Sequence, residues 1–297
     1  MLEEGETIGE ASRISGKTKV IAVVGTPIEH SLSPAMHNTS FEHLGIDCVF
    51  LAFDVKEEKD LESAVKGMNA LGFVGCNITM PYKTKVLKYL DELSPAAEIM
   101  GAVNTVVFKD GKAIGHNTDG AGFMRNVANS GVDIIGKKIT LVGAGGAGSA
   151  IFTQAALDGV AEIDIFNRKD AFFEQTKDKV ASLAKRTGCK MQLIDLEDQE
   201  ALKQSVAESA LFINATRVGM PDMPDASTLN PEFMVDGLAV ADTVYEPRKT
   251  KLIRDAEEKG LVTIIGLGML LSQAAIGEEL WVDAKMPLDL IEDKFFN

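Results

Sequence analysis

The 297-residue sequence predicts an α/β chain of two domains, each built on a mostly parallel sheet. Three observations carry this. The length suffices for two domains of ordinary size, each with its own core. Apolar strand-like runs alternate with helical periods along the chain, the pattern of βαβ architecture. A second series of such runs begins near "GKKITLVGAGGAGSA", well past the end of the first.

In the first series, "KVIAVVG" (19–25), "CVFLAFDV" (48–55), "GFVGCNI" (72–78) and "AVNTVVF" (102–108) read as strands. "FKDGKAIGHN" reads as a hairpin about Asp110-Gly111, a pair suited to a two-residue turn. In the second series the strands are the run into the glycine-rich loop, then "EIDIFN" (162–167), "MQLIDL" (191–196), "ALFINAT" (210–216), "LAVADTVY" (238–245) and "LVTIIG" (261–266). The boundary falls in or near "NTDGAGFMRNVANSG" (117–131), a helical stretch read as the connector. Residues 1–120, joined by helices over about 267–297, form one domain, and 121–266 form the other.

Composition narrows the function classes. Hydrophobic residues make up 45% and charged residues 25%, the profile of a soluble globular protein. The formal net charge of -14 argues against nucleic acid or an anionic membrane as partner, because both repel it. No apolar run approaches the roughly 20 residues of a membrane span. The start, "MLEEGETIGEASRISGK", lacks a signal-peptide core and reads as a mobile lead-in. Cys48, Cys76 and Cys189 are scattered and odd in number, which fits a reducing cytoplasm and no disulfide framework. His30, His37, His43 and His116 make no metal-ligand pattern, so no metal is expected. Met68 and Met124 read as core filling.

The glycine loop is the first functional signal. "ITLVGAGGAGSA" is a strand, then Gly143, Gly145 and Gly148 in G-x-G-x-x-G spacing, then a helix start. In that context the glycines allow a tight turn and close backbone approach, and the helix N-terminus receives a pyrophosphate. The next strand ends in Asn167, Arg168, Lys169 and Asp170. An arginine here suits the 2′-phosphate of NADP, whereas an aspartate suits the ribose hydroxyl of NAD. The mixture predicts relaxed cofactor choice, with NAD at least accepted.

Lys83 is the second signal. "CNITMPYK" runs from a strand into Pro81, a favoured first helical residue, and Val86, Leu87, Leu90 and Leu93 continue with helical spacing. A helix from Pro81 would place Lys83 in its first turn, where the macrodipole pushes an ammonium pKa downward. On position alone Lys83 reads as a surface lysine like Lys85 and Lys88, and other residues must break the tie. Ser33, before Pro34, reads as a helix N-cap, whereas Ser31 has no such local task. Asn104 sits among apolar strand residues, where an unpaired amide is costly. Asp119 in "NTDG" reads either as a helix N-cap or as a site residue. All of these lie at strand C-termini or the following turns, the edge where open parallel sheets bind ligands.

Together, "SLSP" (31–34), "NITMPYK" (77–83), "GAVNT" (101–105), "NTDG" (117–120), "GAGGAG" (143–148) and "GLGMLLSQ" (266–273) resemble the shikimate dehydrogenase family, in order and at family-like spacing. "FNRKDAFFEQ", "NATRVGM" and "VYEPRKTKL" look more like its quinate/shikimate branch, which takes NAD as well as NADP. Lys169 and Asp170 depart from the NADP-strict pattern. The resemblance implies a substrate-binding first domain, a Rossmann-type NAD(P)-binding second domain and an active site in the cleft between them. It implies that Lys83 and Asp119 are the catalytic pair, and that Ser31, Ser33, Asn77, Thr79, Asn104 and Gln273 hold ring hydroxyls and carboxylate, with Tyr245 nearby. The implied cofactor contacts are Gly143, Ala144, Gly145, Gly146, Ala147 and Gly148 in the loop and Asn167 to Asp170 after it. Thr216, Arg217, Met220, Thr243, Val244, Glu246 and Gly266 complete them, with Met220 lining the nicotinamide pocket. The implied activity is reversible NAD(P)-dependent oxidation of shikimate or quinate at C3, in the cytoplasm, within aromatic biosynthesis or quinate utilisation. Homodimerisation stays open. A strictly NADP-dependent enzyme is the nearest alternative; a non-catalytic regulator on the same fold would be expected to lack Lys83 and Asp119.

Overall fold

The computed structural model describes residues 14–296. Most of the acidic lead-in therefore lies outside the described residues. In chain order the elements are β1 (Lys19–Gly25), α1 (Ser33–Leu44), β2 (Cys48–Asp54), α2 (Leu61–Ala70), β3 (Gly75–Ile78), β4 (Glu92–Leu93), α3 (Pro95–Met100), β5 (Thr105–Lys109), β6 (Lys112–His116) and α4 (Asp119–Asn129). Then follow β7 (Lys138–Val142), α5 (Gly146–Leu157), β8 (Glu162–Asn167), α6 (Phe173–Thr187), β9 (Lys190–Asp195), α7 (Gln199–Ala207) and β10 (Leu211–Asn214). The chain ends with β11 (Ala239–Asp242), α8 (Lys251–Glu258), β12 (Val262–Ile264), α9 (Gly266–Val282) and α10 (Leu288–Phe295). Two compact units result. The first takes the chain up to Ser94, Ala102–His116 and Gly277 onward; the second takes Pro95–Gly101 and Asn117–Ile276.

The first unit holds a six-stranded sheet in the order β2-β1-β3-β5-β6-β4. β1 runs parallel to both β2 and β3, and β4 runs parallel to β6. β5 is antiparallel to both its neighbours. The reversal is the hairpin expected at Asp110-Gly111: Lys109 pairs with Lys112, and the two turn residues have φ of 52° and 77°. Positive φ at both positions gives the turn whose twist matches the strands. Ile21, Val23, Phe41, Phe50 and Trp281 form a core cluster of this unit. Trp281 Nε1 donates to the Val106 carbonyl at 2.9 Å. The indole lies against Gly75, where a Cβ would come 2.5 Å from Trp281 Cδ1. His37 has a structural task in the same core. Its ring stacks on Phe50 at 4.4 Å, and its Nδ1 meets the fully buried Glu278 at 2.8 Å.

The helix expected from Pro81 does not form. Residues 80–85 make turns, Val86–Tyr89 make one 3-10 turn, and Glu92–Leu93 join the sheet as β4. The apolar spacing that suggested a helix serves sheet packing instead. Leu90 and Leu93 close over Gly115 of β6, where a Cβ would lie 2.6 and 2.9 Å from their methyl carbons. Lys83 thus lies in a turn and not in the first turn of a helix. Ser33 differs too. Leu32 is the N-cap residue of α1, and Ser33 and Pro34 open the helix itself.

The second unit is a six-stranded, wholly parallel sheet, ordered β12-β11-β10-β7-β8-β9. Alternation along the strands separates two cores. Ile139, Leu141, Ile163, Ile165, Leu211 and Ile213 pack with Phe123 and Val127 of α4 and with α5 and α6. Val142, Phe166, Phe212 and Val240 pack with Leu202 and Val206 of α7 and with α8. Helices cover both faces, so the inner strands β7, β8, β10 and β11 are buried nearly throughout, while the edge strands β9 and β12 stay partly exposed.

Candidate functional site

From β7 the chain proceeds through β8 and β9 on one side and β10, β11 and β12 on the other. The two halves diverge at the C-terminal ends of β7 and β10, the switch point where ligands bind in such sheets. The glycine loop sits there. Gly143 has φ of 103°, and a Cβ on it would lie 2.7 Å from Thr216 Cγ2 and 2.8 Å from the Ala215 carbonyl. Gly148 packs directly on the Gly143 carbonyl oxygen. Gly145 is different: its φ is -72° and a Cβ there would meet nothing within 4 Å. The protein's own packing does not demand a glycine at 145. An incoming ligand close to the backbone does. No side chain caps α5, so its first amides are left for an anionic group.

A cavity of about 850 Å³ opens around this loop, within the range of small-molecule sites. Gly143, Ala144, Gly145, Gly146 and Ala147 line it, with Asn167, Arg168 and Asp170 from the end of β8, and Thr216, Arg217 and Thr243 opposite. Asn167 Oδ1 accepts from the Ala144 amide at 3.1 Å and so ties the loop to the neighbouring strand. Asp170 Oδ1 accepts from the Phe172 amide at 2.9 Å.

Other expected contacts lie outside the lining: Gly148, Lys169, Met220, Val244, Glu246 and Gly266. Met223 lines the cavity, and its amide donates to the Met220 carbonyl at 2.7 Å. Gly266 opens α9 against main chain, where a Cβ would lie 2.5 Å from the Val244 carbonyl oxygen. Sequence reading missed Phe172, Thr176, Leu196, Val218 and Thr228 in the lining. Phe172, 68% exposed beside charged neighbours, is the one with a visible signal in "RKDAFF".

Behind the cavity lies a buried polar cluster that the sequence reading also missed. Asp242, 2% exposed, accepts from Thr250 Oγ1 at 2.6 Å, Asn214 Nδ2 at 2.9 Å and the Val244 amide at 2.9 Å. Asn214 Oδ1 accepts from the amide and the hydroxyl of Thr216 at 3.1 and 2.7 Å. The cluster holds Thr216 and the segment after β11 in place. Burial pushes the Asp242 carboxyl up to about 6, against the opposing effect of these hydrogen bonds.

In the first unit, β1 and β3 are neighbours and their C-terminal ends coincide: the Thr79 amide donates to Val24 O at 2.9 Å and the Thr26 amide to Met80 O at 3.1 Å. The loops carrying Ser31 and Ser33, and Thr79 and Lys83, thus leave adjacent strand ends. Ser31 does have a local task, since its Oγ accepts from the Ser33 amide at 3.3 Å. Lys83 is half-buried and its carbonyl accepts from the Val103 amide at 2.8 Å. Asn77 and Asn104 lie together: Asn77 Nδ2 donates to Asn104 O at 3.1 Å. In the second unit, Asp119 is the first residue of α4 after the N-cap Thr118, and its amide donates to Asn117 Oδ1 at 3.1 Å. Asp119 is therefore not the N-cap residue of α4. Gln273 on α9 packs over Gly122, and its Oε1 accepts from Thr118 Oγ1 at 3.4 Å. Tyr245 is 45% exposed. Among the described residues no group of His, Cys, Asp and Glu could hold a metal ion.

A parallel sheet of this order, with such a loop at its switch point, defines a dinucleotide-binding α/β protein. Residues 23–106 match the family model described as the shikimate dehydrogenase substrate binding domain. The chain is 51% identical over 290 residues to a shikimate dehydrogenase (NADP(+)) of Listeria monocytogenes, covering 96% of this chain and 98% of that one. A crystal structure of shikimate 5-dehydrogenase from Listeria monocytogenes in complex with shikimate and NAD is 50% identical, with a TM-score of 0.92 and coverage of 96% and 99%. A quinate dehydrogenase from Corynebacterium glutamicum in complex with NAD is 28% identical, with a TM-score of 0.82 and coverage of 94% and 98%. The chain belongs to the shikimate dehydrogenase family.

Proposed function

We propose that the protein catalyses the reversible NAD(P)-dependent oxidation of shikimate at C3 to 3-dehydroshikimate, and of quinate to 3-dehydroquinate by the same chemistry. The observation that carries this reading is 51% identity to a shikimate dehydrogenase over nearly the full length, together with the glycine loop and its cavity. The dinucleotide fits the residues present: the open space at Gly145, the uncapped start of α5 and the polar end of β8 suit a pyrophosphate and a ribose. When bound, a nicotinamide cofactor supplies hydride transfer. The chain supplies binding and proton handling. Lys83 takes the substrate hydroxyl proton on oxidation and returns it on reduction, and Asp119 orients that hydroxyl and shares the proton. Ser31, Ser33, Asn77, Thr79, Asn104, Tyr245 and Gln273 hold the ring hydroxyls and the carboxylate. Arg168 and Asp170 at one cavity wall support use of both NADP and NAD. Three free, buried cysteines support a cytoplasmic location; among the described residues no helix is long and apolar enough to cross a membrane.

The test is absorbance at the reduced-nicotinamide band with shikimate or quinate and NAD+ or NADP+. Turnover is expected with shikimate and at least NADP+. Silence in all four combinations refutes the reading.

A further inference from the structure

The outer edge of the first unit's sheet is closed by one side chain. β2 ends the strand order and borders β1 alone. At its two ends the Asp47 carbonyl accepts from the Lys19 amide, and the Val55 amide donates to the Gly25 carbonyl. Alternate residues from Asp47 to Val55 therefore turn their main-chain groups to β1, and Phe50 and Ala52 turn theirs outward. Such an edge is a template for a further strand.

At Phe50 the template is filled. Asn38 of α1 donates from Nδ2 to the Phe50 carbonyl at 2.8 Å, and its Oδ1 accepts from the Phe50 amide at 2.9 Å. The carboxamide has one orientation here, because a carbonyl only accepts and an N–H only donates. It presents the donor and the acceptor that a residue of a neighbouring strand would present. The other usual guards of an edge do not occur in β2. Its sequence, "CVFLAFD", has no proline and no lysine, and its one charge is Asp54 at the end. All seven residues pair with β1 without a bulge. Leu51 and Phe53 are each 41% exposed, so apolar side chains flank the rest of the edge. Ala52, the next outward-turned residue, is exposed and small.

We propose that Asn38 is an edge guard: it occupies the main-chain groups of Phe50 and so keeps β2 from pairing with the β2 of a second copy of this chain. A second copy is the partner that fits, because β2 is complementary to itself. Two such strands, turned antiparallel by a two-fold axis through Ala52, offer each other alternating donors and acceptors. That register sets the terminal aspartate of each against an apolar residue and not against a like charge. Phe50 lies near the middle of the strand, so occupying it divides the outward row.

Sedimentation velocity of the full chain over a wide range of protein concentration tests this, with the parent's mass as the baseline. Asn38→Ala removes the carboxamide and is expected to double in mass relative to the parent as concentration rises. Adding Ala52→Lys places a charge on the freed edge and is expected to restore the parent's mass. Amide hydrogen exchange over residues 48–54 separates strand pairing from mere loosening: the segment exchanges faster than in the parent when Asn38→Ala is dilute, and is protected again in the larger species. The proposal is overturned if Asn38→Ala keeps the parent's mass at every concentration, if the larger species survives Ala52→Lys, or if residues 48–54 stay unprotected within it. Where Asn38→Ala is recovered only as aggregate, the double variant decides. Soluble protein with the parent's circular dichroism supports the guard, and continued aggregation overturns it.

Discussion

Asp242 offers a sharp test of how burial acts behind the cofactor cavity. The carboxyl is 2% exposed and raised from 3.8 to about 6. The folded state therefore binds its proton more tightly than the unfolded chain does. Between pH 4 and 6 the folded state holds more protons, so this group's contribution to stability falls as pH rises. It is fully present below the unfolded pKa and lost once pH passes the folded one. The difference of roughly 2 pKa units corresponds to a cost on the order of 3 kcal/mol for keeping the ionised form buried. Asp242→Asn removes the titration and keeps an acceptor for Val244 and Asn214, while the Thr250 hydroxyl can turn to accept. Urea unfolding of parent and variant at pH 4.5 and 7.5, followed by circular dichroism, reads the difference. The variant should gain on the parent by about 2 kcal/mol between the two pH values, the rest of the difference falling below pH 4.5. Stability curves that run parallel across this range would refute the burial argument, because every other titrating group is common to both proteins.

Three further outcomes follow from the site and its supports. Lys83→Ala should lower kcat by about 10²–10⁴, the loss of general acid–base catalysis; near-parent turnover would return Lys83 to the surface role that position alone allowed. Arg168→Ala should raise KM for NADP+ by about 10–100-fold and leave NAD+ nearly unchanged, while Asp170→Asn, which keeps the acceptor for the Phe172 amide, should improve NADP+ alone; equal effects on both cofactors would argue against 2′-group recognition here. Lys138→Ala should destabilise by about 3–5 kcal/mol in thermal or denaturant unfolding, because Lys138 Nζ lies 2.9 Å from the buried Asp164 and its loss strands that carboxylate. Although burial opposes it, hydrogen bonds from Ser205, Lys138 and Gln192 hold Asp164 below the usual carboxylate range.

Much of this protein was legible because local rules act locally. "KVIAVVG" and "EIDIFN" become strands at the expected residues, since apolar β-branched runs bounded by turns have few alternatives. Asp110-Gly111 forms its hairpin because only such residues accept positive φ at both turn positions. Gly143 and Gly148 do what their spacing implies, one by conformation and one by contact. The segment after Pro81 was misread because its leucines satisfy a helical period and also fit the space over Gly115, and periodicity carries no information on which partner is present. Ser33 followed the same pattern: the residue type suited a cap, but the helix began one residue early.

The sequence by itself determined the class of the protein, through side-chain periods, turn residues and a glycine loop, all of which act over a few neighbours. The tertiary structure alone decided the strand order that creates the switch point, the side-chain cluster of Asp242, Asn214 and Thr216, and the meeting of Asn77 with Thr105. These depend on residues far apart in the chain. Asn77 and Thr105 stand 28 positions apart, as do Asn214 and Asp242. Only strand pairing brings such groups within reach, and only then does the scarcity of donors and acceptors in a dry interior fix what each must do.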